Sequence, residues 1–550
     1  MASKSAAVAG FRERAAYGQV TVLPSPKGVR AQRVDLSTRP SRLARVQQRQ
    51  RVRAGRLDPA IVAMFAAVVS AAGGARPSLW FDEAATISAS TRSVPELWRL
   101  IHNIDAVHGL YYLAMHGWFA VFPATEFWSR LSSCLAVGLA AAGVVVVGKQ
   151  FSTRTVAVCA GIVFAILPRI TWAGIEARSY ALSAAAAVWL TVLVIRAARR
   201  NTAALWPLYG LALVVSTVLN VFVVLMVLVH AVVVPVVARR RPVVVSWATT
   251  SAVALLVVAP FLAFCRTQIT QVRWISPVQA GTFIDIAGEQ YFDDSVPFAL
   301  LAGVVLATPM LVRRPWEAAS RQLAVIALAW IALPTAVLLL YSVARQPIYY
   351  PRYLCYTSPA MALLLSVCIV AVVRTRERVT AVLAAFALAA TPNYLLVQRG
   401  PYAKEGMDFS QVADVITAHA SPGDCLILDN TAEAWPDQTL DRGTARGLRE
   451  ARRSRSRSAR PATQPIVGRT RRHLDSHRPG PTVHGPVDGV GARPRCAGAP
   501  ERAWPRSWTA AAACTGVSGA TAARFPHRRA LAVQLRASGE VDPIRGNRSV

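Results

Sequence analysis

The sequence predicts an all-α polytopic membrane protein with about 11 transmembrane helices, amphipathic interfacial helices in the first outer loop and an incomplete small α/β C-terminal region. Three observations predict it. The 550 residues are 54% hydrophobic with a mean hydropathy of +0.36, more apolar surface than one soluble core of ordinary size buries. Apolar runs of the length needed to cross a bilayer, roughly 20 residues, recur along the chain. Lysine and arginine cluster in every second gap between those runs, as short cytoplasmic loops do.

Residues 1–56 are polar and Arg-rich, with no short apolar core ending in a small-residue cleavage site, and are expected to be a disordered basic cytoplasmic tail. The expected membrane domain is 57–397. Its spans are 57–75, 128–148, 155–172, 179–196, 203–218, 220–238, 243–263, 296–312, 322–341, 357–373 and 379–397. Basic gaps hold Lys149 with Arg154; Arg196, Arg199 and Arg200; Arg239 to Arg241; Arg313, Arg314 and Arg321; and Arg374, Arg376 and Arg378. These fall on the side of the N-terminus. The opposite gaps, 76–127, 173–178, 264–295 and 342–356, carry acids, aromatics and single arginines and form the expected outer face of a plasma-membrane protein. His108 to Phe122 is too short to span, and counting it would invert every later basic cluster. Its aromatics Tyr111, Tyr112, Trp118 and Phe119 fit a helix at headgroup depth.

Beyond 397, residues 398–432 read as the start of an outer α/β domain: a helix from Asp408, a Pro422-Gly423 turn and a strand from Cys425 to Leu428. From 433 to 550 the hydrophobic period is lost, lysine is absent and Arg, Pro and Gly dominate, as in Arg452 to Ser458. The tail reads either as a frameshifted stretch of a GC-rich gene or as a natural disordered basic segment.

A charge of +32 would suggest nucleic acid in a soluble protein, but here the basic residues report orientation, so no nucleic-acid partner is expected. The eight cysteines form no Cys-x-x-Cys pair and support neither a zinc site nor a disulfide framework.

Charges beside a membrane are costly unless they act, so the outer gaps hold the candidate chemistry. Trp80-Phe81-Asp82-Glu83-Ala84 places an acidic pair just past the first span, suited to general-base work or, alternatively, to capping the next helix. His108, beside Gly109 and before Tyr111 and Tyr112, stands at a helix start where free amides attract anions; the alternative is a polar tip among aromatics. Glu176-Ala177-Arg178-Ser179-Tyr180 either pairs its two charges or addresses a phosphate and a sugar. Tyr349-Tyr350-Pro351-Arg352-Tyr353 suits a lipid phosphate, or arginine snorkelling.

In this order the four sites resemble the membrane glycosyltransferases of the GT-C class, in the branch of the protein O-mannosyltransferases and the bacterial aminoarabinose and mannosyl transferases. The resemblance covers roughly residues 57–430. Phe81-Asp82-Glu83 matches the acidic motif of the first outer loop, and Glu176-x-Arg178-x-Tyr180 the second-loop pattern. Arg352-Tyr353 matches the late Arg-Tyr motif. His108-Gly109-Leu110-Tyr111-Tyr112 stands where the class has His-Pro-Pro-Leu-Tyr-Tyr, one proline missing and one replaced by glycine.

The resemblance implies inverting transfer of a sugar, mannose or arabinose type, from a polyprenyl-phosphate donor to a glycan, lipid or protein hydroxyl at the outer face. Asp82 would be the catalytic base, and Glu83, the second catalytic acid, would orient sugar or acceptor hydroxyls. His108, Arg178 and Arg352 would hold the donor phosphate, while Glu176, Tyr180 and Tyr353 would orient substrate. Membrane lipids are the remaining partners. No cofactor is required; a divalent metal near the acids is compatible with the chemistry, but no ligand set is fixed. Two other classes compete. A transporter or flippase for a lipid-linked or small solute would show charges within spans and inverted repeats. An inactive membrane scaffold would follow from an incomplete outer domain.

Overall fold

The computed structural model describes residues 42–311, 318–373, 375–404, 406, 408–411, 414, 418, 425–427, 530–535 and 541–543. The chain divides into two units, Met1–Gly55 and Arg56–Val550. Of the first, the described part is the opening of helix α1 (Arg42–Ala71). Residues 42–56, expected as tail, are thus helical, which their Arg, Gln, Leu and Ala content favours. The rest of that tail lies outside the described residues.

The second unit is a helical membrane domain. Six described helices are long and apolar enough to cross a bilayer. They are α5 (Glu126–Phe151), α8 (Tyr180–Arg200), α11 (Arg241–Thr267), Ser320–Ala344 within α14 (Ala318–Ala344), Pro351–Val372 ending in α15 (Ser358–Val372), and Arg376–Val397 containing α16 (Arg376–Pro392). A seventh is added if α12 (Ala280–Phe292) and α13 (Val296–Leu311) count as one bent span; their axes meet at 96°. The chain is therefore a multi-pass membrane protein, and its outward apolar side chains agree: Leu256 is 73% exposed and Leu388 74%.

Of the eleven expected spans, 57–75 falls on α1, 296–312 falls on α13 of the bent pair, and three others are short or broken. Pro168, which has no N–H to continue the ladder, splits 155–172 into α6 (Arg154–Ile166) and α7 (Pro168–Ala173). Thirteen residues of α6 reach about 20 Å against a hydrocarbon core of about 30 Å. α9 (Leu205–Leu219) has 15 residues, and the next span opens as a 3-10 turn, Val221–Leu225, before α10 (Met226–Val237).

Helix α5 is the hub, packed on α6 and α8, with α15 against α6 and α14. Glycine permits the closest approaches. A Cβ on Gly161 of α6 would lie 2.6 Å from both Val62 of α1 and Val145 of α5, and one on Gly143 of α5 would lie 2.6 Å from Val188 of α8. Lys149 at one end of α5 and Arg154 at the start of α6 both pair with Asp58 of α1, at 2.7 Å each. The other end of α5 carries Arg130 and faces the connecting segments. These include α2 (Phe81–Ser90), α3 (Val94–Asn103), the turn Ala106–His108, α4 (Gly109–Val121), the loop 174–179 and the 3-10 segment Pro351–Thr357. The expected interfacial stretch 108–122 is α4, with Tyr111, Tyr112 and Met115 packed inward on α2.

Three short strands are described near the C-terminus: β1 (Cys425–Ile427) pairs in parallel with β2 (Ala530–Leu535), which pairs antiparallel with β3 (Val541–Pro543). The remainder of the expected tail 433–550 lies outside the described residues.

Candidate functional site

Asp82 and Glu83 open α2, where the exposed amides of a first turn favour carboxylates. Neighbours on a helix point about 100° apart. The two acids consequently serve different partners. Asp82 Oδ1 accepts a hydrogen bond from Arg178 Nη2, and its Oδ2 lies 3.7 Å from Arg352 Nη2. Arg178 Nη1 donates to Tyr112 Oη at 3.0 Å, and that hydroxyl donates to Asp105 at 3.1 Å. Asp105 holds its position with a left-handed backbone, φ 61°. Burial pushes the Asp82 carboxyl up, but Arg178 and Arg352 outweigh it and hold it below the usual carboxylate range.

Arg352, from the 3-10 segment before α15, stacks its guanidinium 4.8 Å from the Tyr350 ring centroid, 5.3 Å from Trp80 and 5.8 Å from Trp274. Three buried nitrogens around Asp82 have no hydrogen-bond partner: Arg178 Nε, Arg352 Nε and His108 Nδ1. His108, whose ring centroid is 5.8 Å from that of Tyr112, is neutral near pH 7, because burial and then Arg178 push its pKa down to about 4. Around one carboxylate the site therefore gathers two guanidiniums and unused bonding capacity, a combination that receives a further anion well.

Glu83 is not in this cluster. It accepts two bonds from Arg130, at 2.8 and 2.5 Å, and one from the Ala177 N–H at 3.0 Å. Arg130 also donates to the carbonyls of Gly74, Pro77 and Ser78 at 2.7 to 2.8 Å. Both side chains are sealed from solvent. Glu83, expected to act beside Asp82, thus stands in a clamp that joins loop 74–78, the start of α2 and Ala177.

Glu176 and Arg178 do not pair with each other. Glu176 Oε2 accepts the Trp80 indole N–H at 2.9 Å, and its Oε1 pairs with Lys404. Tyr180, at the start of α8, is buried, its ring centroid 5.4 Å from that of Trp172. Tyr353 stacks on Phe222, with centroids 5.4 Å apart. Asp82, Arg178, Arg352 and His108 come together, Glu176 joins through Trp80, and Glu83 turns away.

Sequence reasoning missed Arg130, Tyr112 as a bridging hydroxyl, and Lys404. Arg130 sits inside an apolar run where an unpaired guanidinium is untenable, and that was the signal that could have found it. A second polar cluster, around Arg169, also went unread. Arg169 Nη1 bridges to Asp293 at 2.9 Å and its Nη2 donates to the Glu289 carbonyl at 2.7 Å, pinning the α12–α13 bend to α7.

Fold and site together define a multi-pass helical membrane protein with a buried carboxylate between two arginines. No family model matches the chain, and no curated protein sequence matches it. Among solved structures it is similar to two of ArnT from Cupriavidus metallidurans, one bound to undecaprenyl phosphate and one in the apo state. Each is 15% identical over 70% of this chain and 84% of that one, with TM-scores of 0.48 and 0.47.

Proposed function

We propose that the protein transfers a mannose- or arabinose-type sugar from a polyprenyl-phosphate donor to an acceptor hydroxyl, at the outer face of the plasma membrane and with inversion. The observation that carries this reading is Asp82 held between Arg178 and Arg352, with unpartnered guanidinium nitrogens and His108 Nδ1 around it. Asp82 is the anion that the two arginines hold. A donor phosphate competes for the same guanidiniums, and as it draws them away the Asp82 carboxylate regains basicity. The freed carboxylate takes the acceptor proton as that oxygen attacks C1 from the face opposite the phosphate, and the arginines stabilise the departing phosphate. A single displacement inverts the anomeric centre.

The six long helices, the bent pair, the three shorter apolar helices and α1 make eleven crossings in this reading. The basic gaps then fall in the cytoplasm with the N-terminus.

Membranes carrying Asp82→Asn are expected to lose transfer from a radiolabelled polyprenyl-phosphate sugar by at least about 100-fold while keeping protein abundance, the usual size of a general-base contribution. Transfer at the unmutated rate sinks the reading.

A further inference from the structure

The segment after α16 returns to the site. The π-helical turn Asn393–Val397 is followed by Gln398, which donates to the Pro168 carbonyl at 2.9 Å and to Asp293 at 2.9 Å. Arg399 reaches the carbonyls of Ser70 and Thr171 at 3.2 and 3.3 Å, with its guanidinium 3.8 Å from the Tyr394 ring centroid. Further along, the Phe409 N–H donates to Ser78 Oγ at 3.1 Å, in the loop that Arg130 clamps. Between these anchors lies Lys404, 3% exposed and paired with Glu176, which is sealed from solvent. Its Nζ also donates to the Ile175 carbonyl at 3.3 Å and lies 5.7 Å from the Trp80 ring centroid. The chain has four lysines, Lys4, Lys27, Lys149 and Lys404, and of the two among the described residues, Lys149 and Lys404, it is Lys404 that stands within this site.

From this chain of contacts we propose that the segment described at 398–404 and 408–411 is a strap that completes the site, with Lys404 as a positioning residue. Lys404 neutralises Glu176, Glu176 fixes the Trp80 indole, and the indole supports the Arg352 guanidinium beside Asp82. Lys404 touches no reacting atom. Its role for catalysis rests on the sugar-transfer reading, whereas the docking of the strap does not.

Glu176 faces Lys404 from the strap, Glu83 from α2 and Arg130 from α5. Burial, reinforced by Glu83, raises its carboxyl to about 7 against the pull of Lys404 and Arg130. Its charged form, the stronger acceptor for the Trp80 N–H, is therefore lost as pH falls through about 7. Removing Lys404 raises that midpoint further.

Two measurements on the full-length protein test the proposal. In membranes, the pH profile of transfer from a polyprenyl-phosphate sugar is compared among the unmutated protein, Lys404→Met, Lys404→Arg and Glu176→Gln. The expected result is an acid-side fall near pH 7 in the unmutated protein. Lys404→Met moves that fall to higher pH and lowers the pH 7 rate at least tenfold, Lys404→Arg keeps it near its original place, and Glu176→Gln abolishes it. In detergent, a lysine-specific endoproteinase reports docking without reference to activity: cleavage after Lys404 is expected to be at least tenfold slower in the unmutated protein than in Glu176→Gln.

Equal cleavage in the two proteins overturns the strap. Transfer by Lys404→Met at the original rate and pH profile overturns the positioning role. If the unmutated protein transfers no sugar, the functional reading fails, and the cleavage rates still decide for or against the strap.

Discussion

Adjacent residues of one type divide their labour here. Asp82 faces Arg178 and Arg352, while Glu83, one position on, is enclosed by Arg130 and the Ala177 amide. A buried ion pair broken on one side leaves an uncompensated charge, at a cost of about 3–5 kcal/mol. Glu83→Gln should therefore act through folding: a lower thermal midpoint in detergent and less protein in membranes, in contrast to Asp82→Asn. Burial raises the Glu83 carboxyl, but Arg130 and Lys404 more than offset this and its net shift is downward. An acid whose folded pKa lies below its unfolded one stabilises above the unfolded value, and that stability is lost as pH falls through the folded value. The thermal midpoint of the unmutated protein should thus drop on acidification below the ordinary carboxylate range, and that of Glu83→Gln should drop less.

At the scale of elements, helix packing and helix breaks place the site. Gly161 brings α6 against α1 and α5 where any side chain would meet Val62 and Val145. Overpacking of this kind costs about 1–3 kcal/mol. Gly161→Leu should lower the thermal midpoint, and a midpoint equal to that of the unmutated protein would show that the three helices can part without loss. The break at Pro168 turns the end of one span into α7 and the loop 174–179, from which Glu176 and Arg178 project in separate directions. The apolar run 155–172 marks that break only with Pro168 and the charged Arg169 after it, and a proline is as compatible with a kinked span as with an ended one. That break divides the expected span 155–172, while the long helices at 126–151, 180–200 and 241–267 lie close to their expected positions.

For the whole molecule, the proposed orientation makes the site end the outer end and puts an odd number of crossings between the N-terminus and residue 400. A reporter fused at residue 400 is expected to register the exterior, and a cytoplasmic signal would overturn both the crossing count and the placement of the site. The membrane character of the chain and the grouping of its basic residues were legible from the sequence alone. So was the order of the acidic, histidine and arginine motifs. Hydropathy and charge are local properties, and a bilayer reads them locally. What only the tertiary structure decided is who pairs with whom: Glu83 with Arg130 across 47 residues, Asp82 with Arg178 across 96, and Glu176 with Lys404 across 228. Those pairings depend on which helix ends converge once the spans are packed, and packing geometry leaves no period in the sequence for a reader to find.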